Sequence, residues 1–210
     1  MLALGKFSKV QDQVNLLNKN TKIIVVCKNQ SKEKIIPLLD YGHKDFAENR
    51  VQEGKVKWSE LKEKYPNINL HLIGKLQSNK VLDAMLNFSY IHSLDSKKLA
   101  NEIYKIQNSR GLSRDYFIQV NVGTEVQKSG ISIDESSDFI DYCKDDLKLN
   151  VIGLMCIPPI NKDPEYFFKI LASIAKLKKL SHLSMGMSSD YMQAVKCGAT
   201  YVRIGSFIFS

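Results

Sequence analysis

Arginines and cysteines are few in this chain and long apolar runs are missing, and each shortage removes a class of function. Arg50, Arg110, Arg114 and Arg203 are the only arginines among 30 basic residues, so the formal net charge of +8 is almost all lysine. That lysine is spread over helical stretches such as 55–64 and 169–179, with glutamates interleaved in the first. Without an arginine cluster, a recognition helix or an aromatic stacking strand, the charge reads as solvated helix faces, and no specific nucleic-acid partner is expected. Cys27, Cys143, Cys156 and Cys197 form no CxxC pair, and three of them lie in apolar patterns, as reduced core thiols do. His43, His71, His92 and His182 are scattered, none at the i, i+4 spacing of a helical metal pair, so neither disulfides nor a metal site is expected. No apolar stretch approaches the roughly 18 residues of a membrane span. Residues 1–9 are too short and interrupted for a signal peptide, so a cytoplasmic protein without a membrane partner is expected.

What is present is globular. A hydrophobic share of 44% against 25% charged, with no Pro/Ser/Gly-rich linker, makes residues 1–210 one domain. Apolar periodicity alternates between strand and helix almost from end to end. Strands are expected at 23–28, 45–48, 70–74, 90–93, 116–122, 151–157, 182–187 and 201–209. Helices are expected at 32–41, 50–64, 79–86, 97–109, 133–144, 165–180 and 191–197, several begun by Ser, Asn or Asp caps. Eight strands with helical crossovers favour a closed parallel (β/α)8 TIM barrel over an open doubly wound sheet. No eighth helix is expected after strand 8, and an amphipathic segment at 7–17 could cover the gap beside strands 8 and 1. A C-terminal β-domain has no room.

The chemistry gathers at the strand ends. The β-branched run Ile23, Ile24, Val25, Val26 and Cys27 ends in Lys28, which places one desolvated, directed amine at a strand terminus. Such an amine forms Schiff bases with carbonyl compounds, pyridoxal phosphate above all. Near the other end, Leu183 to Asp190 and Tyr201 to Phe209 each read as a strand running into Gly and Ser. Two neighbouring loops of that kind after strands 7 and 8 leave backbone N–H groups for a phosphate, with Ser188, Ser189 and Asp190 as helix-cap residues. Arg203 lies two residues before Gly205, so its side chain shares that face and reaches into the barrel mouth. A buried arginine is costly unless it is partnered.

Six blocks then carry a resemblance across residues 22–209: Phe46 to Glu53, His71 to Lys80, Asn121 to Gly130, Gly153 to Pro159, Leu183 to Asp190 and Val202 to Ser206. In this order they resemble the YggS/PROSC family of pyridoxal 5′-phosphate homeostasis proteins. The resemblance implies a fold type III barrel like the N-terminal domain of alanine racemase, holding pyridoxal phosphate (PLP) as a lysine aldimine. It implies Lys28 as the aldimine lysine, Asn49 beside the ring and Arg203 at the pyridine nitrogen. Ser188, Gly205 and Ser206 would form the phosphate cradle. The chain departs from the family at Asn29-Gln30-Ser31, where Thr-Lys-Pro is common, and at Ser206, where threonine is commoner. The N-terminal helix and the C-terminal tail are also shorter than usual.

The implied role is a carrier in intracellular vitamin B6 homeostasis, buffering the cofactor or delivering it to PLP-dependent apo-enzymes, with no established turnover and a monomeric state expected. An arginine at the pyridine nitrogen, being only a donor, leaves that nitrogen unprotonated and the ring a weak electron sink. The alternative is a PLP-dependent amino-acid racemase, which needs a second acid/base group opposite Lys28. None of the nine tyrosines falls clearly at a strand's C-terminal end. A phosphate-binding role without the cofactor is a third reading.

Overall fold

The computed structural model describes residues 2–125, 127 and 129–210; Val126 and Lys128, within the 121–130 block, lie outside the described residues. Eight parallel strands close into a barrel in sequence order. They are β1 (Lys22–Val26), β2 (Asp45–Glu48), β3 (Asn69–Leu72), β4 (Tyr90–Leu94), β5 (Asp115–Gln119), β6 (Val151–Met155), β7 (His182–Ser184) and β8 (Tyr201–Ile204). Closure is made by β8 against β1, with Ile24 opposite Arg203 and Val25 opposite Ile204.

The crossovers are α2 (Lys32–Asp40), α3 (Val51–Lys64), α4 (Val81–Asn87), α5 (Lys97–Arg110), α6 (Ile133–Asp141), α7 (Pro164–Leu177) and α8 (Tyr191–Lys196), and α1 (Leu2–Leu17) precedes β1. Side chains that close helix starts are Ser96, whose Oγ accepts from the Leu99 N–H, Ser132, which accepts from Glu135, and Asp163, which accepts from Glu165. Each satisfies one of the orphan N–H groups of a first turn.

Strand parity splits the core in two. Ile23, Val25 and Cys27 face outward to the helices, whereas Ile24 and Val26 join Ala47, Phe117, Met155 and Tyr201 inside the barrel. By the period of two, Lys28 follows Ile24 and Val26 to the interior side at the mouth. The helix α1 fills the seam beside β8 and β1, as the amphipathic 7–17 segment suggested. Its Phe7, Val10 and Val14 are fully buried, each contributing roughly 1.5–3 kcal/mol of apolar burial. Tyr191 of α8 donates a hydrogen bond to Gln13 of α1 across the seam.

Four local expectations are corrected. The strand expected to 209 stops at Ile204, and residues Ser206–Phe209 form a short helix, α9, so β8 is followed by helix after all. Its first turn closes through Ile208 and Phe209 N–H groups on the Gly205 carbonyl. The strand expected over 182–187 ends at Ser184; the chain turns at Gly186, whose φ is 88°, and the Met187 N–H then donates to the Asp190 carboxylate at 2.6 Å. That bond also occupies Asp190, which makes no side-chain cap for α8.

Candidate functional site

The C-terminal mouth of the barrel gathers the expected residues from β1, β2 and β8 and from the loop after β7. Lys28 stands just past β1, and its side chain is exposed there, not desolvated as its sequence context suggested. The barrel runs out of cover two residues beyond Val26. Direction comes from the backbone on either side of Lys28. The Cys27 carbonyl accepts from the Lys57 ammonium at 2.7 Å, and the Asn29 N–H donates to the Glu53 carboxylate at 2.8 Å. Asn29 itself adopts a positive φ of 57°, a region that asparagine tolerates better than most residues.

This bracket is anchored in the α3 interior. Lys57 also pairs with Glu48 at 2.9 Å and Glu53 at 3.1 Å, and the Trp58 indole N–H donates to Glu48 at 2.9 Å. Glu48 is wholly buried and its Oε2 has no partner. Burial pushes its carboxyl up from the ordinary value, opposed by Lys57 and Trp58. For Lys57 the two carboxylates outweigh burial and hold the ammonium above its usual value. Its place at the end of the 45–48 strand would put Glu48 in the barrel mouth with Asn49, and the structure corrects this: the carboxylate lies among the α3 side chains Lys57 and Trp58. Its outward parity, sharing a face with Phe46, was the available sign that it serves the helix layer and not the mouth.

The phosphate-type cradle lies across the β1 and β8 seam. Ser188 Oγ accepts from the N–H groups of Gly205 and Phe207, each at 3.4 Å, which ties the β7 loop to the start of α9. A Cβ on Gly205 would stand 3.1 Å from both Cβ and O of Val26, so a side chain there would fill the space between the two strand ends. Ser206 opens α9, and its side chain is exposed beside Gly205. On the other flank Asn49 follows β2, and its carbonyl would lie 2.1 Å from a Cβ on Gly74. Only glycine lets the β3 loop approach Asn49 this closely. Asn49, Gly74, Lys75, Gln119, Asn121 and Ile157 line a cavity of ≈ 340 Å³ at this mouth. A similar cavity of ≈ 380 Å³ opens at the opposite end of the barrel, lined by residues including Lys62, Tyr90 and Arg114, and holds none of the expected site residues.

Arg203 occupies the barrel interior below the mouth and is only 3% exposed. Its guanidinium donates to Ser184 Oγ at 2.8 Å and to the Cys156 carbonyl at 2.9 Å. No carboxylate touches it in these bonds. Burial lowers its pKa from the ordinary value, yet guanidinium stays protonated in proteins.

Comparisons with known proteins bear on the family and the fold. The family described as alanine racemase, N-terminal domain, matches residues 8–210. The chain belongs to that family. Curated relatives from Aquifex aeolicus and Helicobacter pylori, each named pyridoxal phosphate homeostasis protein, are both 39% identical, and each match covers 90% of this chain and 86% of the relative. The PipY structure of Synechococcus elongatus with PLP bound is 30% identical, with a TM-score of 0.87 over the whole of both chains. An alanine racemase of Clostridium difficile has a TM-score of 0.75 at 16% identity, covering 94% of this chain and 54% of the racemase, which bears on the fold alone. Among the described residues there is no cluster of three or more metal-ligating side chains, and no helix is long and apolar enough to cross a membrane.

One polar feature inside this family barrel was not legible in the sequence. His71 and His92 are both fully buried on adjacent strands, with His71 Nδ1 2.9 Å from His92 Nε2. His71 Nε2 lies 3.1 Å from Asp45 Oδ1, and His92 Nδ1 lies 2.9 Å from Ser184 Oγ. Burial would raise the Asp45 carboxyl, but hydrogen bonds from His71 and Asn69 outweigh it and hold it below the ordinary value. Burial lowers both histidines, His92 well below its usual value with help from His71 and Arg203; for His71, Asp45 and Asp115 oppose burial and Lys22 adds to it.

A pH effect follows from that burial. Both rings are neutral in the folded state but free to protonate near pH 6.5 once unfolded, so the unfolded chain binds more protons below that pH. Stability is therefore full above about pH 6.5 and falls as the pH drops below it, with burial of His43 and His182 acting in the same direction. Urea midpoints should be flat from pH 8 to 7 and fall steeply from 6.5 to 5. A flat profile down to pH 5 would contradict the buried neutral pair.

Proposed function

We propose that this chain binds pyridoxal 5′-phosphate and serves its homeostasis, holding the cofactor in the barrel mouth and releasing or delivering it to apo-enzymes. The observation that carries this is the seam of β1 and β8. One amine, Lys28, is bracketed at its end beside a Gly205 gap that a Cβ would fill, with a buried arginine beneath. The residues present fit the group. Ser188 Oγ, which accepts from the Gly205 and Phe207 N–H groups, keeps its own proton to give to a phosphate, and the exposed Ser206 adds a hydroxyl beside it. Asn49 would flank the ring, and Arg203, held on Ser184 and the Cys156 carbonyl, would meet the ring nitrogen from inside the barrel. When bound, the cofactor supplies an aldehyde that an amine captures reversibly as a Schiff base.

The chain's own residues favour holding over turnover. Arg203 can donate to an unprotonated ring nitrogen but cannot give it a proton. The tyrosines inside the barrel, Tyr90 and Tyr201, pack among His71, His92 and Phe117 at the starts of their strands, away from the Lys28 end. Racemase chemistry needs an acid/base group on each face of the substrate Cα. A cytoplasmic setting is in keeping with the free buried thiols of Cys27, Cys143 and Cys156, and a monomer is the state proposed with it.

The test is to incubate the cofactor-loaded protein with L-alanine in deuterium oxide, and in parallel with a PLP-dependent apo-enzyme. The expected result is no Cα exchange at several per second, together with recovery of the apo-enzyme's activity. Rapid exchange with inversion would establish the racemase reading instead. Failure to load pyridoxal phosphate at all would overturn the function.

A further inference from the structure

The hydrogen bonds through the barrel interior form one line from Arg203 to Asp45, and the chemistry of its two ends fixes the direction of every link. A guanidinium only donates, so Ser184 Oγ accepts from Arg203 and has its own proton left to give. The acceptor in reach is His92 Nδ1 at 2.9 Å. That nitrogen is then bare, and the neutral ring carries its proton on Nε2, which donates to His71 Nδ1 at 2.9 Å. His71 in turn carries its proton on Nε2 and donates to Asp45 Oδ1 at 3.1 Å, where an ionised carboxylate only accepts. Four hydrogen bonds thus point one way, from a cation near the mouth to an anion near the barrel floor.

The rings in this line have little freedom. His92 stacks on Phe117 with centroids 4.2 Å apart, and His71 stacks on Tyr90 at 4.3 Å. Ser184 and both histidines are fully buried. A second proton on His92 would set a cation one hydroxyl away from Arg203, so the line resists loading in that direction. Arg203 has a further constraint at Nη2, which the Cys156 carbonyl holds at 2.9 Å.

We propose that Ser184, His92, His71 and Asp45 are positioning residues for the cofactor: they lock the Arg203 guanidinium in one orientation and counterbalance its charge from the far end of the barrel, and so set the ring-nitrogen environment. The proposal deepens the PLP reading and rests on it. Ser184 is the link that can be removed with least disturbance, since Ser184→Ala deletes one oxygen. Ser93→Ala is the control, because Ser93 Oγ is buried next to His92 in sequence but has no hydrogen-bond partner.

Two measurements test it. Imidazole nitrogen NMR of the cofactor-free wild type should find His71 and His92 both neutral and protonated at Nε2 at pH 7, with the His92 resonances displaced in Ser184→Ala. In titrations with pyridoxal phosphate, Ser184→Ala should shift the Schiff-base absorption maximum and weaken binding about tenfold, as loss of one hydrogen bond to a charged group does. Ser93→Ala should match the wild type in both. An Nδ1-protonated or doubly protonated ring, or a Ser184→Ala protein with wild-type spectrum and affinity, would overturn the proposal and leave the PLP reading standing. A wild type that takes up no pyridoxal phosphate would overturn both.

Discussion

Replacing Lys57 with methionine should cost about 3–5 kcal/mol of folding stability, because it leaves the wholly buried Glu48 carboxylate without its cation. The Trp58 indole remains on Oε1, but Oε2 already lacks a partner, so nothing nearby can take up the charge. Pairing the change with Glu48→Gln should restore much of the loss, since the charge and its partner then disappear together. Urea unfolding of the two variants reads this difference. A Lys57→Met protein within 1 kcal/mol of wild type would mean that Glu48 is not held ionised. Lys57 also anchors the Cys27 carbonyl. Cofactor affinity should therefore fall in the single variant under conditions where it is still fully folded.

Lys28→Ala should have the opposite profile. Its side chain is exposed and has no role in the core, so the unfolding free energy from urea denaturation should stay within about 0.5 kcal/mol of wild type. The visible Schiff-base band of the cofactor-loaded protein should vanish, with pyridoxal phosphate retained only as weakly held ligand in the cradle. A folded Lys28→Ala protein that keeps the band would place the reactive amine elsewhere. Together the two variants separate the amine from the scaffold that aims it.

The order of strands and helices was legible because each strand is a short β-branched or apolar run between helices of regular period. The run 23–27 is apolar throughout, and the strand period of two alone puts Ile24, Val26 and Lys28 on one face. Arg203 and Gly205 were legible in the same way from β8. What the sequence obscured was set by distance along the chain. Asp45, His71, His92 and Ser184 come from four strands, and only closure of the barrel brings Ser184 to His92 across 92 residues. Scattered single histidines give no local signal of that. The exposure of Lys28 was misjudged because a strand pattern reports the parity of a residue but not where cover ends. The helix at Ser206–Phe209 was hidden by an apolar spelling, Phe-Ile-Phe, that suits a strand as well as a helix turn.

The proposed function rests on one amine, Lys28. Borohydride reduction of the protein loaded with pyridoxal phosphate, followed by peptide mapping by mass spectrometry, tests this most directly. The expected result is a single phosphopyridoxyl label on the peptide containing Lys28, absent when the Lys28→Ala protein is treated identically. A label on Lys75 or Lys80 at the neighbouring mouth loops, or no label at all, would contradict it.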